Sequence, residues 1–124
     1  MEISNTLFEK SNLYEMATLK KRRSGLPVNI YLDDSGSYID GGHAPRIKFQ
    51  PNKNDSSDTR TMIPMTISDD PEIPIDYKSQ LNGITEKDIS EIKNFVISNK
   101  SNLLRLCNKD DDYDIQDFLN DIIL

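Results

Sequence analysis

The stretch LPVNIYL, residues 26–32, decides the fold class. Its apolar residues alternate with three others, and they are Leu26, Val28, Ile30 and Leu32. This period of two is typical of a strand that buries one face. The preceding stretch MATLKKR, residues 16–22, predicts a second strand, because Ser24 and Gly25 form a turn dipeptide between the two.

A third strand is predicted at RIKFQ, residues 46–50. Here Ile47 and Phe49 lie on one face, and the other face carries Arg46, Lys48 and Gln50. The acidic and glycine-containing residues 33–37 predict a turn before it. A short strand beginning at Tyr38 and Ile39 fits between that turn and the third strand.

RTMIPMTI, residues 60–67, alternates in the same way and predicts a further strand. Pro64 removes one ladder donor, so we expect this strand to lie at an edge or to carry a bulge. A sheet edge can pair with another chain. The patterns together predict an antiparallel sheet of three to five strands over residues 16–68.

Residues 84–124 predict two helices packed on the sheet. Thr85 and Asp88 have the spacing of a capping box, and Ile84 and Ile89 that of a hydrophobic staple. The first helix should bend around residues 98–102. Asp114 can cap the last helix, whose apolar stripe is Ile115, Phe118, Leu119, Ile122 and Ile123. We therefore predict a single α+β domain over residues 1–124, with residues 1–14 flexible or forming a short helix.

Composition narrows the class of protein. The 124 residues allow one modest core, and the charged fraction of 29% lies toward the polar end of the globular range. The sequence has no apolar run long enough to span a bilayer and no signal-peptide pattern, so we expect no membrane partner. A single cysteine, Cys107, and a single histidine favour a reducing cytoplasm and exclude the usual zinc sites within one chain.

Charge is distributed unevenly along the chain. The net charge is −6, yet residues 1–60 carry nine Lys and Arg against eight Asp and Glu, whereas residues 61–124 carry six against thirteen. The basic residues gather in KKRR, residues 20–23, and at four later positions, Arg46, Lys48, Lys53 and Arg60. Because the rest of the molecule repels long polyanions, we do not expect extended nucleic acid as a partner. A small anion, such as a nucleotide, or an acidic patch on a host protein fits better.

GGHAPRIKF, residues 41–49, is the strongest candidate for a ligand site. Arg46 and Lys48 project from one sheet face about 7 Å apart, so they can straddle a phosphate or a carboxylate. Alternatively, the stretch is a turn that leads into a strand with a solvated outer face. Cations of neighbouring strands could join this face, glycine and histidine could line it, and tyrosine could stack on a base. The candidate ligand-binding residues are Arg46, Lys48, His43, Gly42, Arg22, Arg23, Arg60, Tyr31 and Tyr38.

Two other features of the sequence, the acidic run near residue 110 and the single histidine, do not predict a metal or catalytic site. The acidic run DDDYDIQD, residues 110–117, fails as an EF-hand, because Ile115 occupies the glycine position when the loop starts at Asp110. These acids are better explained as favourable charges at a helix N-terminus. The sequence holds no phosphate-binding glycine loop and no nucleophile motif beside His43, so we assign no catalytic residue, metal or cofactor.

LKKRRSGLPVNIYLDDSGSY, GGHAPRIKFQ, MTISDDPEI and the closing two-helix segment resemble an uncharacterised family of short proteins carried by bacteria, phages and other mobile elements. The resemblance covers residues 16–123. The layout, an antiparallel sheet followed by two helices, is similar to that of phage anti-Thoeris sponges, which sequester cyclic ADP-ribose signals as oligomers. This likeness implies a non-enzymatic, homo-oligomeric protein that sequesters a nucleotide and acts in anti-defence.

Two alternatives from other classes stay open. The acidic residues 61–124 could mimic nucleic acid and inhibit a basic host enzyme. A toxin-like ribonuclease could use His43 together with Arg46 and Lys48.

Overall fold

The computed structural model describes residues 8–10, 16–33, 44–53, 62–108 and 112–124. Its sheet runs in the order β1-β2-β3-β4-β5, and each strand pairs antiparallel with the next. The strands are β1 (Phe8–Lys10), β2 (Met16–Leu19), β3 (Ile30–Asp33), β4 (Arg46–Phe49) and β5 (Ile63–Thr66). With the helices that follow, this sheet confirms the predicted α+β class.

One face of the sheet forms the apolar core. The register aligns a row across four strands, and its members are all 0% exposed: Leu19, Ile30, Phe49 and Ile63. Leu32, Ile47 and Met65 lie on the same face and are also buried. A slip by one residue would turn every one of these side chains toward the opposite face, so the alternation specifies the register.

The sheet begins earlier in the chain than predicted. Residues 8–10 form β1, whereas the sequence suggested a short helix or a flexible segment over residues 1–14. In the structure, Phe8 lies opposite Leu19 and Lys10 lies opposite Ala17. Three residues are too few to show a periodicity, so only the pairing with β2 reveals this strand.

The KKRR stretch is not part of a strand, which corrects the predicted strand over residues 16–22. β2 ends at Leu19, and the one-turn helix α1 (Lys21–Ser24) follows. Gly25 has φ +80°, and its N–H donates to the Lys21 carbonyl at 2.9 Å. The left-handed conformation suits glycine and reverses the chain here, so the turn predicted at this place is a helix C-cap.

β3 starts at Ile30, four residues later than the alternating pattern suggests. The side-chain oxygen Oδ1 of Asn29 accepts the Lys21 N–H at 2.8 Å, so residues 26–29 connect α1 to the sheet. Val28 is nevertheless 0% exposed. The pattern therefore identifies the buried residues Val28, Ile30 and Leu32, but four of the seven residues precede the strand, and Asn29 and Tyr31 are buried as well.

The helices are α2 (Ile75–Lys78), α3 (Glu86–Ser98), α4 (Lys100–Asn108) and α5 (Ile115–Asp121). The predicted capping box at Thr85 and Asp88 is present, with bonds of 2.9 and 3.1 Å. Asp114 caps α5 through a second box with Asp117. The predicted bend falls at Asn99, between α3 and α4. Within the described part of the chain, no helix is long and apolar enough to cross a membrane.

The helices complete the core on one face of the sheet. Their buried apolar members join the cluster formed by the strands, and they include Ile92, Phe95, Val96, Leu103, Leu106 and Phe118. β5 lies at the edge of the sheet, as Pro64 predicted. Pro64 has no N–H to offer a further strand, and the Thr66 N–H donates to the Glu72 carbonyl at 3.0 Å. This edge is therefore a poor template for another chain.

Candidate functional site: the outer face of β4

Arg46 and Lys48 lie on the face of β4 that points away from the core, as the alternation predicts. Ile47, which lies between them in the strand, and Phe49, which follows Lys48, point to the opposite face and are 1% and 0% exposed. Both cationic residues are half-buried, so part of each side chain lies against the protein. Across the strands, Arg46 faces Thr66, and Lys48 faces Pro64 and Tyr31.

The backbone that carries these two cations is held on both sides. β4 pairs with β3 and with β5, and the Ile67 N–H donates to the Pro45 carbonyl at 3.1 Å. A paired central strand gives its side chains well-defined directions. The spacing of Arg46 and Lys48 therefore follows from the fold and does not depend on a loop.

Gln50 is buried, which the alternation did not predict. The alternation places it on the outer face with Arg46 and Lys48, but its side chain is buried, with 2% exposed. Its Oε1 accepts the Asn29 N–H at 2.9 Å, and its own N–H donates to the Asn29 carbonyl at 3.4 Å. A buried amide needs such partners, and Asn29, 21 residues earlier in the chain, supplies them.

Tyr31 lies beside Lys48 but offers little open surface. It is 4% exposed and does not belong to the apolar core cluster, so it is buried on the outer side of the sheet. A base stacks on an exposed ring face. In this structure, Tyr31 therefore contributes packing next to Lys48 and does not provide the predicted stacking surface.

The structure separates Arg22 and Arg23 from Arg46. Both residues lie on α1, which begins after Leu19, and Leu19 aligns through Ile30 with Phe49 at the far end of β4. Arg46 lies three residues before Phe49, which is about 10 Å at 3.3 Å per residue. We predicted that Arg22 and Arg23 could lie on the same surface as Arg46 because we expected β2 to continue through residue 22. β2 ends at Leu19 instead, so this expectation lost its basis.

Four predicted site residues lie outside the described residues: Tyr38, Gly42, His43 and Arg60. Asp33, the first residue of the turn predicted at residues 33–37, ends β3, whereas residues 34–37 and the strand proposed at Tyr38 and Ile39 lie outside the described residues. The described candidates are thus Arg46 and Lys48 on β4, Tyr31 on β3, and Arg22 and Arg23 on α1.

A polar junction near the end of β4 was not predicted. The Nζ of Lys53 lies 2.8 Å from Asp88 Oδ2 at the start of α3, and the Nζ of Lys21 donates to the Lys53 carbonyl. The Lys53 ammonium, helped by the Thr85 N–H, holds the pKa of the Asp88 carboxyl below its usual range. Lys53 is therefore occupied in joining the sheet to α3. No pattern in the sequence pairs two residues this far apart.

A second unpredicted contact surrounds Tyr113. Its hydroxyl donates to Asp121 Oδ2 at 2.8 Å, and the guanidinium of Arg105 lies 4.1 Å from the ring centre. Burial, reinforced by the bond to Asp121, raises the pKa of Tyr113. Through Tyr113, these contacts join α4 to α5.

Chemically, the outer face of β4 can bind an anion through one guanidinium fork and one ammonium group. Among the described residues, no group of three or more His, Cys, Asp or Glu side chains could hold a metal ion. Comparisons with protein-family models, curated proteins and solved structures found no match.

Proposed function

We propose that this protein is a non-enzymatic binding protein that holds a small, nucleotide-like anion on the outer face of β4. The observation that carries the proposal is the shared orientation of Arg46 and Lys48 on a strand paired on both sides. In a phage or another mobile element, such a protein would act in the host cytoplasm as an anti-defence sponge and would work as a homo-oligomer. The family resemblance supports this setting.

The electrostatic setting favours a small ligand. Arg46 and Lys48 are half-buried, and charges near the low-dielectric interior attract an anion more strongly than fully solvated ones. The whole chain carries a net charge of −6, so an extended polyanion meets repulsion beyond this face. The phosphate of a mononucleotide is small enough to lie between two cations that are about 7 Å apart.

Isothermal titration calorimetry against cyclic nucleotides and ADP-ribose derivatives tests the proposal. We expect at least one compound to bind with a Kd in the micromolar range at physiological salt. If no compound binds more tightly than about 1 mM, which is about −4 kcal/mol, the proposed function is wrong.

Matched variants locate the binding. Arg46→Glu combined with Lys48→Glu should weaken binding at least tenfold, because hydrogen bonds to charged groups contribute about 1.5–3 kcal/mol each. Lys87→Glu is the control, since Lys87 is an exposed cation on α3. If Lys87→Glu weakened ligand binding as much, the affinity would depend on the net charge of the protein and not on the outer face of β4.

A specific observation supports one other function, inhibition of a basic host enzyme by an acidic surface. Asp112, Asp114 and Asp117 are exposed at and before the start of α5. Under this alternative, the protein captures a basic enzyme, and binding is lost at high salt because exposed charges are screened. Asp114→Asn with Asp117→Asn keeps the capping oxygens and should abolish the capture, whereas Arg46→Glu should leave it intact.

A further inference from the structure

A second surface lies between α3 and the segment that leads from β5 into α2. A groove of about 810 Å³ is present there, a volume within the usual range of ligand pockets. We call it the α2–α3 groove. Its apolar lining consists of Ile73, Pro74, Ile75, Leu81 and Ile89.

Both walls of the α2–α3 groove are held by the rest of the fold. The Thr66 N–H donates to the Glu72 carbonyl at 3.0 Å, and the Glu72 N–H donates to Thr66 Oγ1 at 2.9 Å, which closes the segment after β5. The other wall is α3, whose start is fixed by the capping box at Thr85. Three lining residues also pack against the apolar core: Ile73, Leu81 and Ile89. The groove is therefore formed without a ligand.

Charged groups of both signs line the α2–α3 groove. Three are carboxylates and two are ammonium groups, and they belong to Asp70, Glu72, Glu86, Lys78 and Lys93. Among the described residues, none of these five side chains forms an ion pair or a hydrogen bond. A ligand of one sign would meet repulsion from part of this lining, whereas a ligand that carries both signs has a partner for each of its charges.

The spacing of three lining residues on α3 indicates the length of such a ligand. Glu86, Ile89 and Lys93 share one face of α3, because they are three and four residues apart. Glu86 and Lys93 are therefore separated by about 10 Å along the helix axis, at 1.5 Å per residue. A fully extended tripeptide spans about 10 Å as well, at 3.3–3.6 Å per residue. Its two charged termini match the two ends of this row.

We propose that the α2–α3 groove binds a short peptide of about three apolar residues with free termini. The ammonium group of the peptide pairs with Glu86, and its carboxylate pairs with Lys93. Its apolar side chains cover Ile89 and Ile75. Since Ile75 is 80% exposed, this contact removes apolar surface from water. A nucleotide would be repelled by the carboxylates of the groove, so this ligand differs in class from the one proposed for β4.

An NMR titration of ¹⁵N-labelled protein with the tripeptide Leu-Ala-Leu tests the proposal. We expect saturable amide shifts in residues 72–75 and 86–93, and at least tenfold weaker binding when the amino terminus is acetylated or the carboxylate is amidated. Glu86→Gln should weaken binding of the free peptide but leave the affinity of the acetylated peptide unchanged. Lys93→Gln should behave in the same way toward the amidated peptide. Lys87→Gln is the control, because Lys87 is exposed on α3 and does not line the groove.

Four outcomes would overturn the proposal. They are the absence of saturable binding, equal affinity for the peptide with both termini capped, equal affinity for Gly-Gly-Gly, and equal weakening of peptide binding in Lys87→Gln. Circular dichroism confirms that each variant is folded. The peptide and these variants differ from the compounds and variants that test nucleotide binding, so either proposal can fail while the other stands.

Discussion

Replacing Asn99 should destabilise the protein, because its buried side-chain amide anchors Ile123 after α5. Its side-chain amide forms three bonds, to the Phe95 carbonyl at 2.9 Å and to both peptide groups of Ile123 at 2.8 Å. In Asn99→Ala, the Phe95 carbonyl keeps a partner, because the backbone N–H of residue 99 already donates to it at 3.1 Å. The two bonds to Ile123 have no such replacement.

The expected magnitude follows from these two bonds. At about 1 kcal/mol for each net hydrogen bond, their loss costs about 2 kcal/mol. The removed amide also leaves a small cavity, which adds to this loss. We therefore expect the free energy of unfolding to fall by about 2 kcal/mol, which for a chain of this size lowers Tm by about 8 °C.

Urea denaturation measures this loss, and hydrogen exchange locates it. The Ile123 amide should lose its protection in Asn99→Ala. Asn99→Asp should be less stable still, because it places a carboxylate in a buried site and removes both donors. Asn94→Ala, which changes an exposed asparagine on α3, should stay within about 0.5 kcal/mol of wild type. If Asn99→Ala were as stable as this control, the proposed anchoring of the segment after α5 would be wrong.

Two further substitutions and one labelling experiment test other parts of the structure. Lys53 and the Thr85 N–H lower the pKa of Asp88 in the folded protein. The ionised carboxylate therefore adds to the free energy of unfolding at neutral pH, and this stabilisation is lost as the pH falls below about 4. Acid titration of stability should thus be shallower in Asp88→Asn, and equal slopes would contradict the ion pair. Tyr113→Phe should lower the free energy of unfolding by about 1 kcal/mol, measured in urea, and in a double-mutant cycle this loss should disappear in the Asp121→Ala background. Cys107, 4% exposed, should react with a thiol reagent only after unfolding; rapid labelling of the native protein would show that the core opens.

Local patterns predicted the elements that local chemistry determines. The alternation at residues 46–50 and 60–67 located β4 and β5, and the capping pairs at Thr85 and Asp114 located the starts of α3 and α5. Both kinds of signal need only neighbouring residues, because a strand face or a helix cap is set within one short segment.

The elements that were missed depend on distant partners. β1 exists through pairing with β2, and α1 replaces the end of a strand because Asn29 accepts the Lys21 N–H. In the candidate site, too, some side-chain positions follow from local sequence and others depend on distant residues. Arg46 and Lys48 share one strand, so their common orientation was predictable, whereas the position of Arg22 and Arg23 depends on the residue at which β2 ends.

An NMR titration tests the central claim most directly, with a ligand from the calorimetric panel added to ¹⁵N-labelled protein. We expect the largest amide shifts at Arg46 and Lys48 and at their partners Tyr31 and Thr66, and the shifts should disappear in Arg46→Glu/Lys48→Glu. Shifts confined to α1 or α2, with β4 unchanged at saturating ligand, would show that the outer face of β4 is not the binding site.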